Sequence, residues 1–306
     1  MTNIFSMESL PTTTETILTP LYEFRNHLVN GADDLPRLPE VVQQILECSR
    51  DVQANARKLA AIISGDAAIS SRILKTVNSA YYGFPGQITS IRHAVVLIGF
   101  REVVNLAIGL ALTGFLEKNH PEPFYREFRG HSLGTANFAL LLARKFNYHD
   151  RATVYTGGLL HDFGMLMLFS WRPDTYKEII SLSLAERQPL AVSERELLGF
   201  DHLEAGKLVG YLWRLPEPLQ LCMYGHNSVK AVSGREPGIY LAIIDLANIL
   251  SYRAGFPATA GIPAPGLART TWRELQGKMP GLKRAMLEAW IEEMRPSIKE
   301  ALMGTT

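Results

Sequence analysis

The sequence predicts an all-α protein with at most two helical bundles. Three observations predict it. Apolar residues recur at three- and four-residue spacing along most of the chain, no stretch alternates well enough to demand a strand, and the links between periodic segments are short and marked by Gly and Pro. With 306 residues, 47% hydrophobic and 20% charged, the chain has a globular composition. It is long enough for one large domain or two ordinary ones, each with a real core.

Met1 to Pro20 is rich in Thr and Ser and reads as an ordinary leader, after which Leu21, Phe24 and Leu28 predict a first short helix that breaks at Gly31. Pro39 suits the first turn of the next helix, where its missing amide hydrogen costs nothing. Val41, Val42, Ile45 and Leu46 give that helix an apolar stripe ending near Ser49-Arg50-Asp51. Ala56 to Ser64 and Asp66 to Ser79 repeat the scheme, with Asp66 as an N-cap, and Tyr81 to Gly86 reads as a turn. Ser90 is placed to cap a helix carrying Ala94, Val95, Leu97 and Ile98. Val95 to Leu116 is the most apolar segment, but Arg101, Glu102 and Asn105 leave a remainder too short for about 30 Å of hydrocarbon, so it is expected as a buried helix.

The helical rhythm continues from Phe124 through Leu133 to Phe146, Ala152 to Phe169, Tyr176 to Ala185, His202 to Trp213, Glu217 to Tyr224 and Ile239 to Ala254. Phe256 to Leu267, with Pro257, Pro263 and Pro265, is the clearest linker. Trp272 to Leu302 resumes helix as a C-terminal extension that packs back on the fold or mediates association.

A net charge of +1 and the absence of a Lys/Arg run argue against a nucleic-acid partner. Cys48 and Cys222 stand too far apart for a zinc knuckle or a disulfide framework, and no secretion signal opens the sequence, so a cytoplasmic protein with no membrane partner is expected. No Walker-type phosphate loop is present.

The chemistry concentrates on His161-Asp162, two polar side chains inside the apolar run from Gly157 to Leu168. Burying them needs hydrogen bonds or a cation to offset desolvation. His131, His202 and His226 also lie on helix-like segments beyond Phe124. Imidazole and carboxylate together suit a first-row metal. Two readings stand: a shared inward-facing metal site, or core histidines satisfied by one another and by backbone groups. Asn78-Ser79 suits a helix-end cap or a ligand contact, and Trp213 and Trp290 are expected in cores.

Several separated blocks carry a resemblance in order. They are Leu35-Pro36-Arg37-Leu38-Pro39, Ile62 to Ile69, Ile73 to Gly83, Ile91 to Gly99, Gly158-Leu159-Leu160-His161-Asp162-Phe163-Gly164, Glu194-Arg195-Glu196, Gly199-Phe200-Asp201-His202 and Trp213-Arg214-Leu215-Pro216. From about Leu35 to Ala254 the chain resembles the HDOD domain, the HD-related output domain of bacterial signalling proteins. The resemblance implies an N-terminal helical bundle followed by an HD-domain-like helical bundle. It divides the chain into a leader with a short helix at 1–34, an N-terminal lobe at 35–120, an HD-like lobe at 121–256, and a linker with a C-terminal helical extension at 257–306.

The resemblance to HD phosphohydrolases further implies a metal set of His131, His161, Asp162, His202 and His226. Glu127 lies one helical turn before His131 as an additional candidate, and Asp162 would be catalytic if the centre turns over substrate. Two departures count against turnover. Position 165, a lysine in related phosphodiesterases such as the HD-GYP group, is Met165, and their paired histidines become Gly225-His226. The late helix aligns Asn248 rather than Asp245 with the expected carboxylate, which keeps Asn248 in the ligand set and Asp245 as a further candidate. One negative charge fewer favours a single divalent transition metal (Fe, Mn, Ni or Zn) over a dinuclear cluster.

The leading expectation is a regulatory module with a degenerate HD-type site, acting through metal or ligand binding and contact with a signalling protein. The alternative is a metal-dependent phosphohydrolase acting on a nucleotide or cyclic dinucleotide. A third is a sensor whose iron responds to redox state.

Overall fold

A computed structural model of the chain describes residues 15–30, 38–79, 82, 86–119, 123–226 and 236–303. The leader up to residue 14, the block Leu35-Pro36-Arg37 and the turn from Tyr81 to Gly86, apart from Tyr82 and Gly86, lie outside the described residues. The described residues form helices only: α1 (Glu15–Asn30), α2 (Glu40–Arg50), α3 (Ala56–Ser64), α4 (Ala67–Val77), α5 (Ile91–Ile98), α6 (Phe100–Asn119), α7 (Pro123–Lys145) and α8 (Arg151–Leu160) in the first half. The second half holds α9 (Phe163–Trp171), α10 (Pro173–Glu186), α11 (Leu190–Leu198), α12 (His202–Leu212), α13 (Glu217–Gly225), α14 (Glu236–Arg253), α15 (Arg269–Lys278) and α16 (Ala285–Met303).

Several starts follow local chemistry. The side chains of Asn55, Asp66 and Ser90 accept first-turn amides of α3, α4 and α5, satisfying donors that have no intrahelical partner. Asn78 does something else with its side chain. It accepts the amide of Ile88 at 2.9 Å and donates to the carbonyl of Ile88 at 2.7 Å, clamping the segment that leads to α5.

Three expected helices are interrupted, and one helix was not foreseen. Val95 to Leu116 breaks at Gly99, whose φ of 105° is open to glycine and strained for other residues. Ala152 to Phe169 breaks at His161-Asp162, and Trp272 to Leu302 breaks around Pro280. The unforeseen helix is α11, which turns Ser193 and Glu194 inward alongside Leu190 and Leu198. Polar residues on the buried face erase the apolar period that would announce it.

Helix α7 is the centre around which later helices gather, packed against α8, α14 and α16. Helix α6 lies against α8 and also against α2, α4 and α5, so it joins the early helices to the later ones. Gly158 lets α8 approach α7 closely, since a Cβ there would stand 2.6 Å from Ala136 Cα. The expected linker is non-helical, yet Ala258 and Ile262 are buried, so the segment covers the core rather than crossing solvent. Trp290 is buried edge-on against Phe146, as expected of a core aromatic, whereas Trp213 packs edge-on against Phe163 and is only half-buried. Among the described residues no helix is long and apolar enough to cross a membrane.

Candidate metal centre

The doublet sits where α8 ends and α9 begins. His161 keeps helical backbone angles (φ −55°, ψ −43°), whereas Asp162 leaves them (φ −95°, ψ 16°). Asp162 stands at the N-cap of α9 but its carboxylate caps nothing; it turns into a group of imidazoles instead. His131 comes from the middle of α7, His202 is the first residue of α12, and His226 directly follows α13. All are buried: His131, His161 and His226 are 0% exposed, Asp162 4% and His202 6%.

Asp162 divides the imidazoles into two pairs. Its Oδ2 lies 3.1 Å from His161 Nε2 and 3.4 Å from His131 Nε2, and those two nitrogens are 3.2 Å apart. Its Oδ1 lies 3.0 Å from His226 Nε2 and 3.7 Å from His202 Nε2.

The opposite ring nitrogens explain this orientation. His131 Nδ1 is 2.8 Å from the Phe256 carbonyl oxygen, His161 Nδ1 3.0 Å from that of Gly158, and His226 Nδ1 2.8 Å from that of Cys222. A carbonyl only accepts, so each Nδ1 carries a proton and each Nε2 is the nitrogen turned to Asp162, a lone pair when the ring is neutral. His202 Nδ1 is instead 2.6 Å from Glu194 Oε2.

Electrostatics separate the members of the group. Burial pushes the His161 imidazole down to about 4, against the pull of Asp162. Burial also acts to raise the Asp162 carboxyl, but His161, His131 and His226 outweigh it and hold the group well below the usual carboxylate range. For His202, burial acts downward, yet Glu194 and Asp162 prevail and raise it to about 9.

The donor set fits a transition metal. Donors bound at about 2.0–2.2 Å to one ion stand roughly 3.0–3.4 Å apart, which is the spacing in the His131, His161 and Asp162 triad. The His202 and His226 side is wider. His226 Nε2 lies near Asp162 Oδ1 without the direction a hydrogen bond needs, and it is buried with no hydrogen-bond partner. Asn248 Oδ1 is likewise buried and unpartnered. Asn248 lies one turn before Tyr252, whose ring meets that of His131 at 4.9 Å. Buried orphan acceptors of this kind call for a cation or water.

The structure therefore brings together His131, His161, Asp162, His202 and His226, in two groups whose ligand atoms lie within 4.8 Å of one another. Glu127 and Asp245 join neither group. The Glu127 carboxylate accepts the amide of Ala260, and that of Asp245 accepts the hydroxyl of Thr271. Glu127 was reasonable on helical spacing and Asp245 on the pattern of the late helix, but each is drawn off by the segment that follows α14. Met165 is buried in α9.

Sequence reasoning missed Glu194 and Tyr176. Glu194 is 0% exposed, and Tyr176 donates its hydroxyl to Glu194 Oε1 at 2.6 Å. The available signal was a carboxylate eight residues before His202, within a block otherwise noted only as part of the resemblance.

Comparison with known proteins identifies the family and the fold. Residues 35–229 match the profile of the HDOD domain. A crystal structure of an HDOD domain protein with unknown function from Geobacter sulfurreducens superposes with a TM-score of 0.69 at 23% identity, covering 94% of this chain and 98% of that one. A protein provisionally named a phosphohydrolase, from Shewanella amazonensis SB2B, gives 0.61 at 23% identity, over 87% and 93% of the two chains. One provisionally named a signal transduction protein, from Marinobacter aquaeolei VT8, gives 0.63 at 22% identity, over 95% and 66%. These likenesses show the fold. An uncharacterized protein of Treponema pallidum (strain Nichols) is 27% identical over 226 residues, which are 72% of this chain; the match spans 43% of that relative's length.

Proposed function

The chain belongs to the HDOD domain family, and on that premise we propose that it is a bacterial regulatory module whose buried His–Asp centre holds one divalent transition metal and whose output is a protein contact. The observation that carries this reading is the enclosure of the five donors, none more than 6% exposed, with every Nε2 turned to Asp162. Such a centre retains an ion while offering a phosphoester little room to reach it. Met165, 2% exposed, adds no charge or hydrogen-bond donor where a phosphate would need one.

In this reading His131, His161 and Asp162 are the principal ligands, with His226, His202 and Asn248 completing the surroundings; Fe, Mn, Ni and Zn suit the set. When bound, the ion supplies positive charge that links α7, the α8–α9 junction and the ends of α12 and α13. The chain's own contribution is to fix each Nδ1 proton and so keep each neutral imidazole a ready acceptor. The early helices are the contact surface for a signalling protein, and the exposed Val96 and Leu97 on α5 support that assignment. Cys48 and Cys222, both free and buried, suit a reducing cytoplasm.

Elemental analysis of protein purified anaerobically without chelators is expected to find about one transition metal per chain, and the loaded protein is expected to hydrolyse no member of a panel of nucleotides and cyclic dinucleotides. A second reading, a metal-dependent phosphohydrolase with Asp162 in the catalytic role, is favoured by one feature, the doublet carboxylate with imidazoles on both oxygens. Hydrolysis that disappears in both His161→Ala and Asp162→Ala would establish it in place of the first.

A further inference from the structure

His202 differs from the other three imidazoles in what holds it. His161 and His226 use carbonyls three and four residues back in their own helical turns, and His131 uses the Phe256 carbonyl. His202 is the first residue of α12, so no preceding helical turn offers a carbonyl to its Nδ1.

Glu194 fills that gap from α11. Its Oε2 accepts both the backbone amide of His202, at 2.9 Å, and the ring Nδ1–H, at 2.6 Å. One oxygen bound to the main chain and the ring of the same residue restrains both side-chain torsions, which leaves Nε2 aimed at Asp162. Oε1 accepts the hydroxyl of Tyr176 from α10 at 2.6 Å. The α11–α12 junction is braced next door as well: Arg195 donates to Asp201, and Asp201 caps α12 in a reciprocal box with Glu204.

A fully buried carboxylate is costly unless its lone pairs are used. Each of the three donors given for Glu194 belongs to His202 or to Tyr176, which holds Glu194 itself. We infer that Glu194 is a positioning residue for the metal centre, fixing the His202 ring so that Nε2 faces Asp162. This deepens the metal-centre reading above and rests on it.

Two measurements on the full chain test the inference: Co2+ titration followed by visible absorption, and ring-nitrogen NMR of His202 in the metal-free protein. Glu194→Ala is expected to weaken Co2+ binding by about 10- to 100-fold, to alter the visible bands, and to shift the His202 ring signals. Glu194→Gln should stay within about threefold of the parent with the same bands, because its amide oxygen can accept from both His202 nitrogens while its NH2 group turns to Tyr176. Tyr176→Phe, which loosens Glu194 without removing it, should fall between the two.

Parent-like affinity and spectra in Glu194→Ala would overturn the inference, as would a loss in Glu194→Gln as large as in Glu194→Ala, which would mean that charge and not aim matters. If Glu194→Ala does not fold, Tyr176→Phe decides, and unchanged affinity and ring signals there overturn it. If the parent protein takes up no Co2+, the metal reading fails separately. The inference is then judged on the ring signals alone: a change in Glu194→Ala reversed in Glu194→Gln upholds the aiming of His202, and its absence rejects it.

Discussion

His131 and His161 face each other through Nε2 atoms 3.2 Å apart while each Nδ1 is engaged by a backbone carbonyl. When both rings are neutral they present lone pair to lone pair, with the Asp162 carboxylate beside them. A shared cation converts that repulsion into attraction.

Thermal stability should therefore depend on metal. With free metal at about 100 times its dissociation constant, linkage stabilises the folded state by about 2.7 kcal/mol, roughly 5 °C in midpoint. Calorimetry with and without a chelator measures it. Identical midpoints with Mn2+, Fe2+, Ni2+, Zn2+ and chelator would reject the metal centre.

The pH dependence of the metal-free protein should have two limbs of opposite sign. His161 is lowered to about 4 from 6.5, so its contribution is complete above pH 6.5 and is lost as pH falls towards 4, where the unfolded chain binds the extra proton. His202 is raised to about 9, so its contribution is complete below pH 6.5 and is lost as pH rises through 9. Each limb is worth on the order of 3 kcal/mol, with the summit near pH 6.5. Urea midpoints from pH 4 to 10 trace both limbs, and His161→Asn should flatten the acid one alone.

Among the described residues, Asp162 is the one carboxylate in contact with all four imidazoles. Asp162→Asn keeps the shape but removes the charge that offsets a dication, and metal affinity should drop on the order of a hundredfold or more. Competition with a chromophoric chelator reads the loss; retention within about threefold would show that the imidazoles suffice.

Gly164 lets α9 meet the start of α12. A Cβ at this position would collide with the carbonyl oxygen of His202 and come within 2.8 Å of Gly206 N. Both are backbone atoms and cannot rotate away. Gly164→Ala should cost about 3 kcal/mol or more and, by pushing His202 from Asp162, weaken metal binding as well. Denaturation and metal titration on the same variant check the two effects together.

Much of the fold was legible in the chain because amphipathic helices advertise their buried faces. The stripe Val42, Ile45, Leu46 marked α2, and the caps Asp66 and Ser90 marked the next starts. The interruption at His161-Asp162 was invisible for the converse reason: Phe163 to Ser170 is buried on every side, so apolar residues run across the break with no period to lose. Helix α11 was missed because its inward face carries Glu194 and Ser193.

By itself the amino-acid order determined an all-helical chain and singled out the His161-Asp162 pair, since a polar doublet in an apolar run cannot be buried without partners. It also nominated His131, His202 and His226, whose residue chemistry is a local property. Which carboxylates joined them was decided by tertiary structure alone. Glu127 and Asp245 went to Ala260 and Thr271, while Glu194 came from a different helix to hold His202. Hydrogen-bond partners and ligand spacing depend on how distant helices pack, and helical periodicity records only which face is turned inward.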